Sequence, residues 1–147
     1  MITVNTYIKT KCGFFEIHDF TEDIEDYNYI EGALELTING INLLDKSMWD
    51  YIDQLWSYIA DGVICISNDE AFEIYYPDQP IKISFIPEKG YVFVSVVCHS
   101  EKNIRVDKKE FICVMSKNAI DFFDYLSKKN EVFNFRYNEL ISKLDKY

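Results

Sequence analysis

The sequence predicts a single α+β domain over residues 1–147, in which a twisted antiparallel sheet carries helices packed on one face. The chain has the usual length of one domain, and its 48% apolar and 16% aromatic residues are sufficient for one core. Short alternating segments separated by turns predict about six to eight short strands. Helical periodicity appears only in the middle of the chain and at its end, whereas a parallel sheet would need helices between successive strands.

The first part of the chain is expected to form a hairpin followed by an acidic loop. Residues 2–9 alternate between polar and apolar side chains, as a half-buried strand does, and residues 13–18 supply the returning strand after a turn. Residues 19–28 are rich in acids and show no periodicity. They are therefore interpreted as a loop.

The next part is expected to form a third strand and an inserted amphipathic helix. Residues 29–37 alternate again and predict the strand. Residues 48–61 have helical spacing, with Ser47 placed as N-cap, Asp50 as its capping-box partner and Gly62 as the C-terminal stop.

The predicted helix has one apolar face and one acidic face. The apolar face consists of Met48, Ile52, Leu55, Trp56 and Ile59. The polar face consists of Asp50, Asp53, Gln54, Ser57 and Asp61, with Tyr51 and Tyr58 along its border. The first face predicts burial in the core, and the second predicts exposure to solvent.

The rest of the chain predicts a meander of strands followed by two helices. Short turns separate the expected strands 63–67, 71–76, 81–86 and 91–99, with a further short piece at 103–106. Asp107 is placed to cap a helix that ends at Asn130, with Glu110 as its capping partner. Residues 134–145 predict a second, shorter helix.

Charge is distributed unevenly along the chain, whose formal net charge is −10. Residues 1–80 hold three basic and sixteen acidic side chains, a net −13, whereas residues 81–147 hold twelve basic and nine acidic ones, a net +3. An acidic surface repels phosphates and attracts basic proteins. The charge therefore predicts a basic protein partner and argues against nucleic acid.

The four cysteines and two histidines give no metal-binding motif, because no C-x-x-C pair occurs and the residues are scattered. We expect free thiols, no structural metal and no cofactor. The N-terminus lacks the apolar stretch of a signal peptide, and no segment approaches the roughly 20 apolar residues that span a bilayer. A cytoplasmic protein without membrane association is expected.

One pattern resembles a catalytic motif. Pro77-Asp78 and Asp107-Lys108-Lys109 have the outline of the P-D and D-x-K elements of metal-dependent nucleases. The first pair also suits a hairpin turn and Asp107 a helix cap, so no catalytic residue is assigned. A small enzyme with scattered catalytic carboxylates stays open as an alternative, because such residues leave no spacing to recognise.

Two acidic segments are the candidate partner-binding surfaces. One is the polar helix face with its tyrosines: Asp50, Tyr51, Asp53, Gln54, Ser57, Tyr58 and Asp61. The other is the loop that contains Glu22, Asp23, Glu25 and Asp26, which lacks the spacing of a calcium loop. Carboxylates pair with Lys or Arg, and tyrosine gives rigid contact area, so both segments suit a basic protein. The alternative is that both are ordinary solvated surfaces.

The segments YIEGALELTINGINLLDKSMWDYIDQLWSYIADG and PDQPIKISF resemble a group of small bacterial proteins. They also resemble, more loosely, the immunity proteins, often acidic, that accompany bacterial polymorphic and contact-dependent toxins. The resemblance covers residues 29–86. It implies a non-catalytic inhibitor that neutralises a basic toxin, for example a nuclease, by masking its active site. A structural or homo-oligomeric assembly protein remains a third possibility.

Overall fold

The computed structural model describes residues 1–147 as an α+β domain with nine strands and three α-helices, which confirms the predicted class. The strands are β1 (Ile2–Thr10), β2 (Gly13–Glu16), β3 (Glu31–Ile38), β4 (Ile41–Leu44), β5 (Asp50–Tyr51), β6 (Phe72–Tyr75), β7 (Lys82–Glu88), β8 (Tyr91–Cys98) and β9 (Ser100–Asp107). The helices are α1 (Ile52–Ser67), α2 (Lys108–Lys129) and α3 (Asn134–Leu144), with short 3-10 turns at Lys46–Met48 and Glu131–Phe133. The strands form two antiparallel sheets, whereas one was expected.

The first sheet has the order β2-β1-β3-β4, and the short strand β5 pairs with the start of β3. The predicted N-terminal hairpin is present, since Thr10 pairs with Gly13 across its turn. Residues 17–30 form neither helix nor strand, which confirms the predicted acidic loop. This loop connects β2 to β3 and leaves the sheet at its β2 side.

The second sheet is the predicted meander, in the order β6-β7-β8-β9. Its last strand is longer than the short piece expected at 103–106, because β9 pairs with β8 over its whole length. The expected strand 63–67 is wrong, since these residues form the last turns of α1. Val63, Ile64 and Ile66 suggested a strand because β-branched residues favour one, but their burial against the core stabilises the helix.

Helices α1 and α2 join both sheets into one hydrophobic core. Trp56 of α1 is fully buried, stacks on Phe122 of α2 at 6.3 Å, and its Nε1 donates to Thr6 Oγ1 of β1 at 3.0 Å. Phe85 of β7 contacts Phe111 of α2 with ring centroids 5.0 Å apart. The predicted apolar stripe of the first helix is therefore buried as expected.

Both ends of the first helix differ from the prediction. Ser47 is not its N-cap, because the helix begins at Ile52 and Asp45 caps the preceding 3-10 turn through the Ser47 N–H at 2.9 Å. Gly62 does not stop the helix, which continues to Ser67. Gly62 instead lies where α1 crosses close to the second sheet.

We expect Gly62→Ala to lower the free energy of unfolding, although alanine is the better helix former. A Cβ at this position would lie 2.6 Å from Phe72 Cδ1 and 2.8 Å from Phe85 Cδ2. Overpacking of this kind costs about 1–3 kcal/mol, which outweighs the roughly 1 kcal/mol gained in helix propensity. Urea denaturation measures the difference, with Gln54→Ala at a half-exposed position of the same helix as the control. A more stable Gly62→Ala protein would contradict the close packing.

The C-terminal helices agree with their predicted bounds to within one residue. Asp107 caps α2, since its carboxylate accepts a hydrogen bond from the Glu110 N–H at 2.9 Å. Leu140 and Leu144 of α3 are fully buried and hold this helix against the core. No helix of the protein is both long enough and apolar enough to span a membrane.

An acidic cleft as the candidate functional site

An open cleft lies between the β1–β2 turn and the loop that leads into β3. Its volume is ≈ 840 Å³, and it is lined by residues 8–12 and Phe15 of the hairpin and by residues 19–26 and 29–31 of the loop. The buried side chains of Ile8, Phe20, Ile24 and Ile30 form its apolar floor. The cleft is thus a concave surface with a hydrophobic base.

The walls of the cleft are strongly acidic. Six carboxylate residues line it: Asp19, Glu22, Asp23, Glu25, Asp26 and Glu31. Only two lysines do so, Lys9 and Lys11, and the Lys9 Nζ lies 4.3 Å from the centroid of the Trp49 ring. The structure therefore concentrates a large part of the negative charge of the N-terminal half in one concavity.

The acidic loop is anchored to α2. The Lys129 Nζ donates to the Glu22 carbonyl oxygen at 2.7 Å, and the Tyr125 hydroxyl donates to the Phe20 carbonyl oxygen at 2.9 Å. Burial raises the pKa of Tyr125 to about 12, so this hydroxyl stays protonated as a donor at neutral pH. These bonds give an irregular segment a defined path.

Two of the predicted loop acids also stabilise the turn itself. Asp23 accepts hydrogen bonds from the Tyr27 hydroxyl and, at 2.9 Å, from the Ile24 N–H, and the bond from Tyr27 is the main reason that the pKa of Asp23 is lowered. Asp26 accepts from the Asn28 N–H at 2.9 Å. Glu22 and Glu25 are exposed, so their carboxylates face solvent. The four predicted acids therefore lie along one cleft, and two of them, Asp23 and Asp26, also stabilise the turns of its loop.

Aromatic side chains border the cleft. Tyr29 is 62% exposed, and its ring lies 5.6 Å from that of Tyr51. Desolvation, and then the nearby Asp78 carboxylate, raise the pKa of Tyr51, so it remains a neutral hydroxyl. On the hairpin side, Phe15 is 38% exposed and packs on Phe20 with ring centroids 5.9 Å apart. Tyr51 is the one predicted helix-face residue that reaches this region.

Asp50 was predicted to lie on an exposed helix face, and this prediction is wrong. The residue belongs to β5 and is buried, with 3% exposure. Its Oδ1 accepts from the Tyr51 N–H at 2.7 Å, and its Oδ2 accepts from the Asp78 and Gln79 N–H groups at 2.9 and 3.0 Å. Three donors on one carboxylate explain how this charge is accommodated inside the protein. Asp50 connects the two sheets and is not available to a partner.

The other predicted helix residues, Asp53, Gln54, Ser57, Tyr58 and Asp61, do not line the cleft. The Arg136 Nη2 of α3 donates to the Asp61 carboxylate and to the Ser57 carbonyl oxygen, both at 2.7 Å. This part of the face is therefore used to dock α3. Desolvation raises the pKa of Asp53, although hydrogen bonds from the Gln54 and Asp53 N–H groups oppose this effect.

The residues of the suspected nuclease pattern have structural roles. Asp107 caps α2, the Lys108 ammonium pairs with the Asp69 carboxylate, and the Asp78 backbone is held by Asp50.

His18 has a carboxylate partner. Its Nε2 lies 2.7 Å from Asp121 Oδ2, and this hydrogen bond raises the pKa of His18. No group of three or more His, Cys, Asp or Glu side chains is placed to hold a metal ion.

Sequence analysis identified the acidic loop but missed the rest of the cleft, notably Lys9, Phe15, Tyr29 and Glu31. The available signal was the proximity of these residues to the predicted turn and loop, but only the tertiary structure brings them together around one cleft. Comparison of the chain with models of protein families, with curated proteins and with solved structures found no match.

Proposed function

We propose that this protein is a non-catalytic binding domain, an immunity-type inhibitor that recognises a basic protein through the acidic cleft and masks its active site. The observation that carries the proposal is the cleft itself, with six carboxylate residues and two lysines above an apolar floor. A toxin that cleaves nucleic acid needs a basic surface to hold phosphates. An acidic concave surface is complementary to a basic loop of such a protein.

In the proposed recognition, charge increases the rate of association and exposed aromatic area supplies binding energy. The net charge of −13 on residues 1–80 accelerates encounter with a basic partner by long-range steering. Tyr29 and Phe15 then supply exposed aromatic area, which is where interface energy tends to concentrate. Because the loop is hydrogen-bonded to α2, little conformational entropy is lost when it binds.

Glu22→Gln/Glu25→Gln is expected to weaken binding of the basic partner about tenfold or more, because both carboxylates are exposed in the cleft. The partner is obtained by retaining basic proteins from a lysate of the source organism on the tagged protein. The dissociation constant is then measured with the purified partner at low and high salt. Glu70→Gln/Glu88→Gln is the matched control, since it removes the same charge at exposed positions outside the cleft.

A partner whose activity is inhibited, and whose binding is weakened only by the cleft substitutions, would support the proposal. Equal weakening by both pairs would mean that net charge, and not the cleft, attracts the partner. Absence of any retained basic protein at low salt, or binding without inhibition of the partner's activity, would reject the immunity-type function.

A further inference from the structure

Strand β9 is an open edge of the second sheet. It pairs only with β8, it is eight residues long, and of its residues only Val106 is buried. One side of its backbone therefore presents N–H and C=O groups without a partner strand, which is the geometry that accepts another strand. An edge of this length contrasts with β6 at the other end of the sheet, which has only four residues.

The side chains of β9 are self-complementary in one antiparallel register. Every second residue of β9 lies on the outer face of the sheet, namely Glu101, Asn103 and Arg105. Their partners on β8 are Val97, Ser95 and Phe93. If two copies of β9 pair about a two-fold axis at Asn103, Glu101 of each copy lies opposite Arg105 of the other. Lys102 then lies opposite Ile104 on the inner face. No like charges lie directly opposite each other in this register.

The two neighbouring registers are unfavourable. A two-fold axis at Lys102 places the two Lys102 ammonium groups opposite each other. An axis at Ile104 places Glu101 opposite Asp107 twice. Because like charges directly opposite destabilise a strand pair, the sequence of β9 selects the register centred on Asn103.

We propose that β9 is the interface of a homodimer, in which two copies pair antiparallel about Asn103 and form one continuous eight-stranded sheet. Two features of the protein favour a second copy as the occupant. Strand β9 carries two acidic and two basic side chains, so pairing two copies brings no net charge together. The Arg105 guanidinium lies 4.3 Å from the centroid of the Tyr91 ring, which keeps it on the outer face where Glu101 of the second copy would lie.

Sedimentation velocity over a wide range of protein concentrations tests the interface. Glu101→Arg and Arg105→Glu should each weaken dimerisation about tenfold or more, because each places like charges opposite twice. The doubly substituted protein with Glu101→Arg and Arg105→Glu should dimerise again, since the pairs are restored with exchanged signs. Lys89→Glu, at an exposed turn outside β9, should leave dimerisation unchanged.

Circular dichroism melting of every variant separates loss of dimer from loss of folding. A wild-type protein that is monomeric at all concentrations would overturn the proposal, as would dimers that the single substitutions do not affect. Failure of the double substitution to restore the dimer in a folded protein would also overturn it. The interface uses no residue of the acidic cleft, so its failure would leave the proposed function standing.

Discussion

Asp50→Ala is expected to lower the free energy of unfolding by about 3 kcal/mol or more, since hydrogen bonds to a buried charged group contribute about 1.5–3 kcal/mol each and are not additive. The substitution removes the acceptor of three backbone N–H groups, those of Tyr51, Asp78 and Gln79. Two of these groups belong to the turn between β6 and β7, so the turn should lose its attachment to the first sheet.

Urea denaturation measures the change in stability, and hydrogen exchange at the Asp78 and Gln79 amides reports the release of the turn. Asp78→Ala is the matched control, because Asp78 is exposed and belongs to the same turn. The control should change stability by less than about 0.5 kcal/mol, as exposed substitutions usually do. An Asp50→Ala protein as stable as the control would show that the three hydrogen bonds contribute little.

The residues before α1 show why Asp50 was wrongly placed in the helix from sequence alone. Met48 is buried like Ile52, so the apolar spacing continues through a 3-10 turn and a two-residue strand before the helix begins. Asp50 stands three residues after Ser47, which matches the spacing of a capping box. Local spacing cannot distinguish a capping acid from one that binds a turn 28 residues further along the chain.

The shape of the acidic cleft could not be predicted from local sequence either. Composition and lack of periodicity were sufficient to predict an acidic loop before β3, and the structure confirms it. Its shape depends on hydrogen bonds between residues more than 100 positions apart, such as Phe20 with Tyr125 and Glu22 with Lys129. The division of the strands into two sheets is equally a matter of long-range pairing, which alternation along a strand does not encode.

Of the five glycines, Gly32 is expected to tolerate an added methyl group least, and Gly32→Ala should lose about 4 kcal/mol or more, or fail to fold. A Cβ at Gly32 would lie 2.2 Å from the Tyr7 carbonyl oxygen and 2.9 Å from the Ile52 Cβ. Gly32 pairs with Ile8 on one side and with Asp50 on the other, so neither neighbouring strand can move without breaking the sheet. The clash with a backbone atom is what makes the effect large.

Thermal and urea denaturation of soluble Gly32→Ala protein, or its recovery in inclusion bodies, measures this effect. Gly40→Ala is the control, because a Cβ there meets nothing within 4 Å and its φ of 84° alone should cost about 1 kcal/mol. Adding Ile52→Ala to Gly32→Ala removes the Ile52 Cγ2, which would lie 2.9 Å from the added Cβ, but leaves the Ile52 Cβ and the Tyr7 carbonyl oxygen in place. Because Ile52 is buried, Ile52→Ala destabilises the protein by itself and serves as the reference for the double variant. If Gly32→Ala cost little in the Ile52→Ala background, helix packing and not the β1–β3 separation would explain why glycine is required here.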